Sequence, residues 1–127
     1  MKISTSYISK INKIKELGMV PVSVTRFLPE TLKVENIPEL SPESIILFRY
    51  KRERDVSKCT NSFKLQFSKL NKEEIIKQLE YISQKNDNAD IVLVCYEKKG
   101  DFCHRHILAE WLGSDYNIEE LSFEWDN

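Results

Sequence analysis

The sequence predicts an α/β fold, a three-layer Rossmann-like domain around a mostly parallel central sheet of about five strands. Three observations predict it. Ile91-Val92-Leu93-Val94 is an unalternating, largely β-branched apolar run, the habit of a strand covered on both faces. Helical periodicity flanks that run, over residues 71–84 before it and 102–112 after it. A strand, helix, strand alternation occupies residues 2–24.

The elements follow in order. Residues 2–6 read as a strand. Ile8, Ile11, Ile14 and Leu17 fall three apart and predict a short helix, stopped by Gly18 as a left-handed terminator. Residues 20–24 read as a second strand, and Pro21, with no amide to donate, belongs at its start or at an edge. Pro29, Pro38 and Pro42 punctuate residues 28–44, which predicts mostly irregular chain. Ile45-Ile46-Leu47-Phe48, within residues 44–50, reads as a third strand. The charge run Lys51-Arg52-Glu53-Arg54-Asp55 reads first as a solvated loop and, as the alternative, as a basic lip over a phosphate-bearing ligand. Residues 55–70 are ambiguous, with Phe63, Leu65 and Phe67 alternating as in a strand. The clearest helix is residues 71–84, with Asn71 and Glu74 at capping-box spacing and Ile75, Ile76, Leu79 and Ile82 facing inward. After the 91–94 strand, Asp101 can cap a helix whose buried face is Ile107, Leu108, Trp111 and Leu112. Gly113 and Ser114 end it, and residues 116–123 read as a terminal strand.

Bulk properties narrow the function. The 127 residues have the size of one domain, 1–127, with 41% hydrophobic and 31% charged residues. A net charge of −1 gives no global positive field, so nucleic-acid binding is not indicated by charge, although a local basic patch stays open. No apolar run approaches the roughly 20 residues of a membrane span. Residues 1–5 lack the long apolar segment of a signal peptide. The three cysteines do not form a disulfide framework, and the expectation is a cytoplasmic protein with reduced thiols.

The densest chemistry lies between the end of the 91–94 strand and the start of the next helix: Cys95, Glu97, Cys103, His104, Arg105 and His106. Cys95-Tyr96-Glu97, then Cys103-His104-Arg105, then Leu108-Ala109-Glu110 resembles the domain of unknown function 488 family. In that family a strand ends in Cys-x-Glu, and Cys-His-Arg opens a helix that continues Leu/Val-Ala-Glu. Val22-Ser23-Val24-Thr25-Arg26, followed by Pro29, is similar to the family's second strand. Thr25 stands where many members carry an acidic residue. The resemblance implies an α/β fold with a site around Cys95, Glu97, Cys103, His104 and Arg105. It implies no particular reaction.

Read from the residues, Cys103 falls in the first turn of its helix if Asp101 is the cap, where free amides and the helix dipole favour a thiolate. It is the candidate nucleophile, and the alternative is a small buried residue packed under the sheet. Cys95, ending an apolar strand, is the more structural of the two, or a residue lining the ligand. His104 is the candidate for acid/base work, the alternative being a histidine that hydrogen-bonds loop backbone. His106 falls on a different side of the helix, so the two histidines are not expected to share a metal, and no metal site is expected. Glu97 is the candidate orienter of His104, or the ion-pair partner of Arg105. Arg105 and Arg26, from separate strand ends, are candidates for an anion clamp beside a helix N-terminus. No Gly-rich phosphate loop is present and no cofactor is identified. The expectation is an enzyme-like domain for an anionic small molecule, such as a nucleotide. The rivals are a non-catalytic nucleotide- or nucleic-acid-binding module and a purely structural polar cluster.

Overall fold

The computed structural model describes residues 1–26, 28, 31–96, 104–113 and 116–121. Ten principal elements run in chain order: β1 (Ile3–Tyr7), α1 (Ile11–Glu16), β2 (Val20–Ser23), β3 (Glu35–Asn36), α2 (Ser44–Glu53), α3 (Val56–Ser68), α4 (Lys72–Gln84), β4 (Ile91–Cys95), α5 (His104–Leu112) and β5 (Glu119–Glu120). The five strands form one sheet in the order β3-β2-β4-β1-β5, and every pairing is parallel. This is the expected three-layer α/β architecture.

β4 is central, and all five of its residues are buried. Its alternate side chains divide the core. Ile91, Leu93 and Cys95 pack with Ile3, Val22 and Val24 against α3, α4 and α5. Val92 and Val94 pack with Ile11 and Ile14 of α1 on the other face. Both helices that flank β4 in sequence therefore cover one face, and the short α1 covers the other. Pro21 sits near the start of β2, where β3 has not yet begun; β3 pairs only with Val22 and Ser23, so the missing amide faces no partner strand. Gly18 takes φ +77°, the left-handed terminator expected after α1. Asn71 accepts the Glu74 amide at 3.2 Å and caps α4.

The structure corrects or resolves the local expectations. Residues 44–50 are helix α2 rather than strand, and only one side of their apolar run meets the core: Ile46 packs against it, none of α2 is fully buried, and Ile45 and Phe48 are 60% and 61% exposed. Residues 56–68 are helix α3, whose buried face is Cys59, Phe63 and Phe67 at spacings of four, while Leu65, which made the pattern look alternating, faces solvent. The proline-rich segment contains the edge strand β3 and a 3₁₀ turn, Pro38–Leu40, that buries Leu40. The terminal strand is two residues long among the described ones. The charge run splits: Lys51 to Glu53 close α2, Arg54 turns left-handed at φ 54°, and Asp55 caps α3 by accepting the Lys58 amide at 3.0 Å.

Candidate functional site at the switch point of the sheet

Parallel strands direct their carboxyl ends to one edge, and a crevice forms there where neighbouring strands send their connections in opposite directions. β1 and β4 are such neighbours, in register from Ile3 opposite Ile91 to Tyr7 opposite Cys95. The chain leaving β1 passes under one face through α1 toward β2. The chain leaving β4 passes over the other face through α5 toward β5. The switch point lies between Tyr7 and Cys95, where His104 and Arg105 open α5. Glu97, Asp101 and Cys103 lie outside the described residues.

Arg105 is the largest fully buried side chain, at 0% exposure. Its Nε donates to Glu120 Oε1 at 2.9 Å and its Nη2 to Glu120 Oε2 at 2.8 Å, a bidentate pair. Its Nη1 lies 2.9 Å from Cys95 Sγ, and its guanidinium stands 5.9 Å from the Tyr7 ring centre. Thr5 Oγ1 donates to Glu120 Oε1 at 2.7 Å. Burial pushes the Glu120 carboxyl up, but the hydrogen bonds from Arg105 and Thr5 and the nearby positive charge outweigh it and hold the group below its ordinary value.

His104 opens α5 and is 6% exposed. Its Nε2 donates to the Val24 carbonyl at 2.7 Å, and its ring packs 5.9 Å from that of Phe63. Burial, with smaller contributions from the charges of Arg105 and His106, lowers its pKa to about 4 against the pull of the Val24 bond. The imidazole is therefore neutral at pH 7, with Nε2 committed to the backbone. The bond to Val24, on the far side of β4 from Arg105's partners, ties the start of α5 to the end of β2.

Arg26 follows β2 and is half-buried. Its Nε donates to the Pro42 carbonyl at 3.0 Å, just before α2. Arg26 and Arg105 thus hold to different sides of the sheet edge: Arg26 to the start of α2, Arg105 to β4, β1 and β5. Cys95 is fully buried and disulfide-bonded, whereas Cys59 is a buried free thiol that burial pushes up to about 11. The disulfide departs from the expectation of reduced thiols. His106 lies on the outer side of α5, away from His104, in an open cleft of about 400 Å³ shared with Thr5, Ile118 and Glu120. Among the described residues no group of three His, Cys, Asp or Glu side chains is placed to hold a metal ion. No helix among them is long and apolar enough to cross a membrane.

Sequence reasoning missed Glu120, Thr5 and Tyr7. A buried arginine needs a carboxylate, and the acidic pair Glu119-Glu120 between Ile118 and Leu121 is the one signal that pointed to it.

Fold and site together define a small α/β domain of the parallel, doubly wound class, with a Cys/His/Arg cluster at its switch point. The chain belongs to the domain of unknown function 488 family: the model of DUF488-N3a, described as the active DUF488-N3 subclade, matches residues 7–115. In comparisons with curated proteins and with solved structures, nothing matches.

Proposed function

We propose that this chain is a small cytoplasmic enzyme that binds an anionic small molecule, a nucleotide or other phosphate-bearing ligand, beyond the carboxyl ends of β1 and β4 and performs thiol chemistry there. The observation that carries this reading is Arg105 Nη1 at 2.9 Å from Cys95 Sγ. A cationic donor on a sulfur favours its thiolate, and a sulfur so stabilised leaves readily in thiol–disulfide exchange. Cys95 is disulfide-bonded, whereas Cys59 is a free thiol. In a reducing compartment such a disulfide is catalytic or sensing rather than structural. Exchange with an external dithiol releases Cys95 and its partner sulfur as thiols and leaves the dithiol oxidised. Cys103 is then the nucleophile. Arg26 and the α5 amides face the anion, while Arg105, its fork filled by Glu120, supports Cys95 from within. His104 is neutral and positions the start of α5. The description of the matched subclade as active supports an enzyme over a binding module.

The test is iodoacetamide labelling with mass-spectrometric site assignment, before and after reduction. Reduced native protein labels at Cys103 well before Cys59 at pH 7, and unreduced protein does not label at Cys95. Equal labelling of Cys103 and Cys59 in the reduced native protein overturns the nucleophile role. Thermal shift against nucleotides and simple phosphates then reads the ligand class.

A second reading has its own support. The saturated Arg105–Glu120–Thr5 network and the His104–Val24 bond would also serve a polar cluster that only ties α5 to the sheet. In that case Cys103 shows no enhanced labelling and no phosphate compound shifts the melting temperature.

A further inference from the structure

The exposed face of α2 concentrates positive charge. Residues 49–58 carry five basic side chains, Arg49, Lys51, Arg52, Arg54 and Lys58, against the two acids Glu53 and Asp55, in a chain whose net charge is −1. All five basic residues are exposed. Aromatic rings are interleaved with them. The Arg52 guanidinium stacks 5.7 Å from the centre of the Phe48 ring, itself 61% exposed, and that of Arg54 stands 5.6 Å from the Tyr50 ring. Beside these rings, Arg49, Arg52 and Lys58 line a groove of about 320 Å³ between α2 and α3, together with Asp55 and with Glu53, which pairs with Arg52 at 3.4 Å on the exposed surface.

Helix propensity does not require this arrangement. Lys51 and Arg52 complement the dipole in the last turn of α2, but Arg54 and Lys58 lie beyond that turn, and an outward Phe48 gains nothing for the core. Ile46 and Tyr50, on the other side of α2, supply its contacts with the core. An occupant of this face must be negatively charged along its length and present flat unsaturated rings.

We propose that the α2 face, from Phe48 to Lys58, is a docking surface for single-stranded nucleic acid. Arg49, Arg52, Arg54 and Lys58 track the phosphates, and Phe48 offers a ring on which a base stacks. Single strands expose both features at once, whereas a duplex keeps its bases stacked inside. An anionic membrane fits less well. Interfacial helices present a broad apolar face, and α2 turns only Ile45 and Phe48 outward as large apolar side chains. The proposal is independent of the thiol site.

The test is fluorescence anisotropy of a labelled oligothymidylate over a salt series, with the full chain. Binding should weaken with salt, and its slope in log affinity against log salt should fall by about 0.7 for each phosphate contact removed by Arg49→Glu or Arg52→Glu. Phe48→Ala should weaken binding about tenfold with little change in that slope, the loss expected for one stacked base. All three positions are exposed, and circular dichroism and melting of the variants confirm the fold. No binding of the oligothymidylate, binding unaffected by these substitutions, or tighter binding to phosphatidylserine vesicles than to the oligonucleotide each overturns the proposal.

Discussion

Arg105 is buried with no exposed surface, and a guanidinium so placed is tolerated only because every direction of its fork meets a partner. Glu120 supplies most of that compensation, held in turn by Thr5. Glu120→Ala strands the charge, and unfolding in urea should show a loss of about 3 kcal/mol or more. Thr5→Val removes one hydrogen bond to the same carboxylate and should cost nearer 1 kcal/mol. A Glu120→Ala loss no larger than that of Thr5→Val would mean the buried charge finds other compensation. The arginine was legible as a site residue from its motif, but its partner was not. Glu120 lies 15 residues further on in a two-residue strand whose pairing with β1 is a product of the whole topology. The same limit applies to His104, whose tether to Val24 spans 80 residues of sequence and leaves no local trace.

Elements were legible where local and tertiary signals agreed. Residues 71–84 combine a cap, a period and a polar outer face, and α4 starts at Lys72 and ends at Gln84 as those signals direct. Asn71→Ala should cost about 1 kcal/mol, measured by urea denaturation, because the Glu74 amide loses its acceptor. An unchanged midpoint would mean that water replaces the cap without loss. β4 was legible for a related reason: an apolar run without alternation suits a strand covered on both faces, and five buried residues in a row are what it became. Ile45 to Phe48 carries the same kind of run and became a helix instead. Four apolar residues in a row cannot be told apart by period alone. The deciding signals lay outside the run: Pro42 ahead of it, and Lys51 and Arg52 behind it in the last turn, where they suit a helix C-terminus. Phe48 points outward with only Arg52 of the next turn over its ring, which is why the α2 face invites a partner.

At the scale of the molecule, the bond from His104 to Val24 joins the second half of the chain to the first across the central strand. That bond makes the fold sensitive to acid. The folded pKa of His104 is lowered to about 4 from the ordinary 6.5, with burial the largest cause. The unfolded chain therefore binds more protons between those two values, and stability rises with pH across the window. The contribution of His104 is fully present above about pH 6.5 and is lost as pH falls toward about 4, on the order of 3 kcal/mol in total. His106 is lowered as well, by burial first, and acts in the same sense. Glu120, held below its ordinary value, adds a further loss only at lower pH, as it takes a proton. Urea unfolding at about pH 7 and about pH 5 separates these groups, because the two histidines act inside that interval and the carboxylate mostly below it. The wild type should lose about 2 kcal/mol from His104 over the interval. His104→Gln keeps an amide donor for Val24 but cannot titrate, so it starts less stable and loses little more than the His106 share. Parallel curves for wild type and His104→Gln would show that the buried imidazole is not what acid attacks, and that the link between α5 and β2 survives protonation.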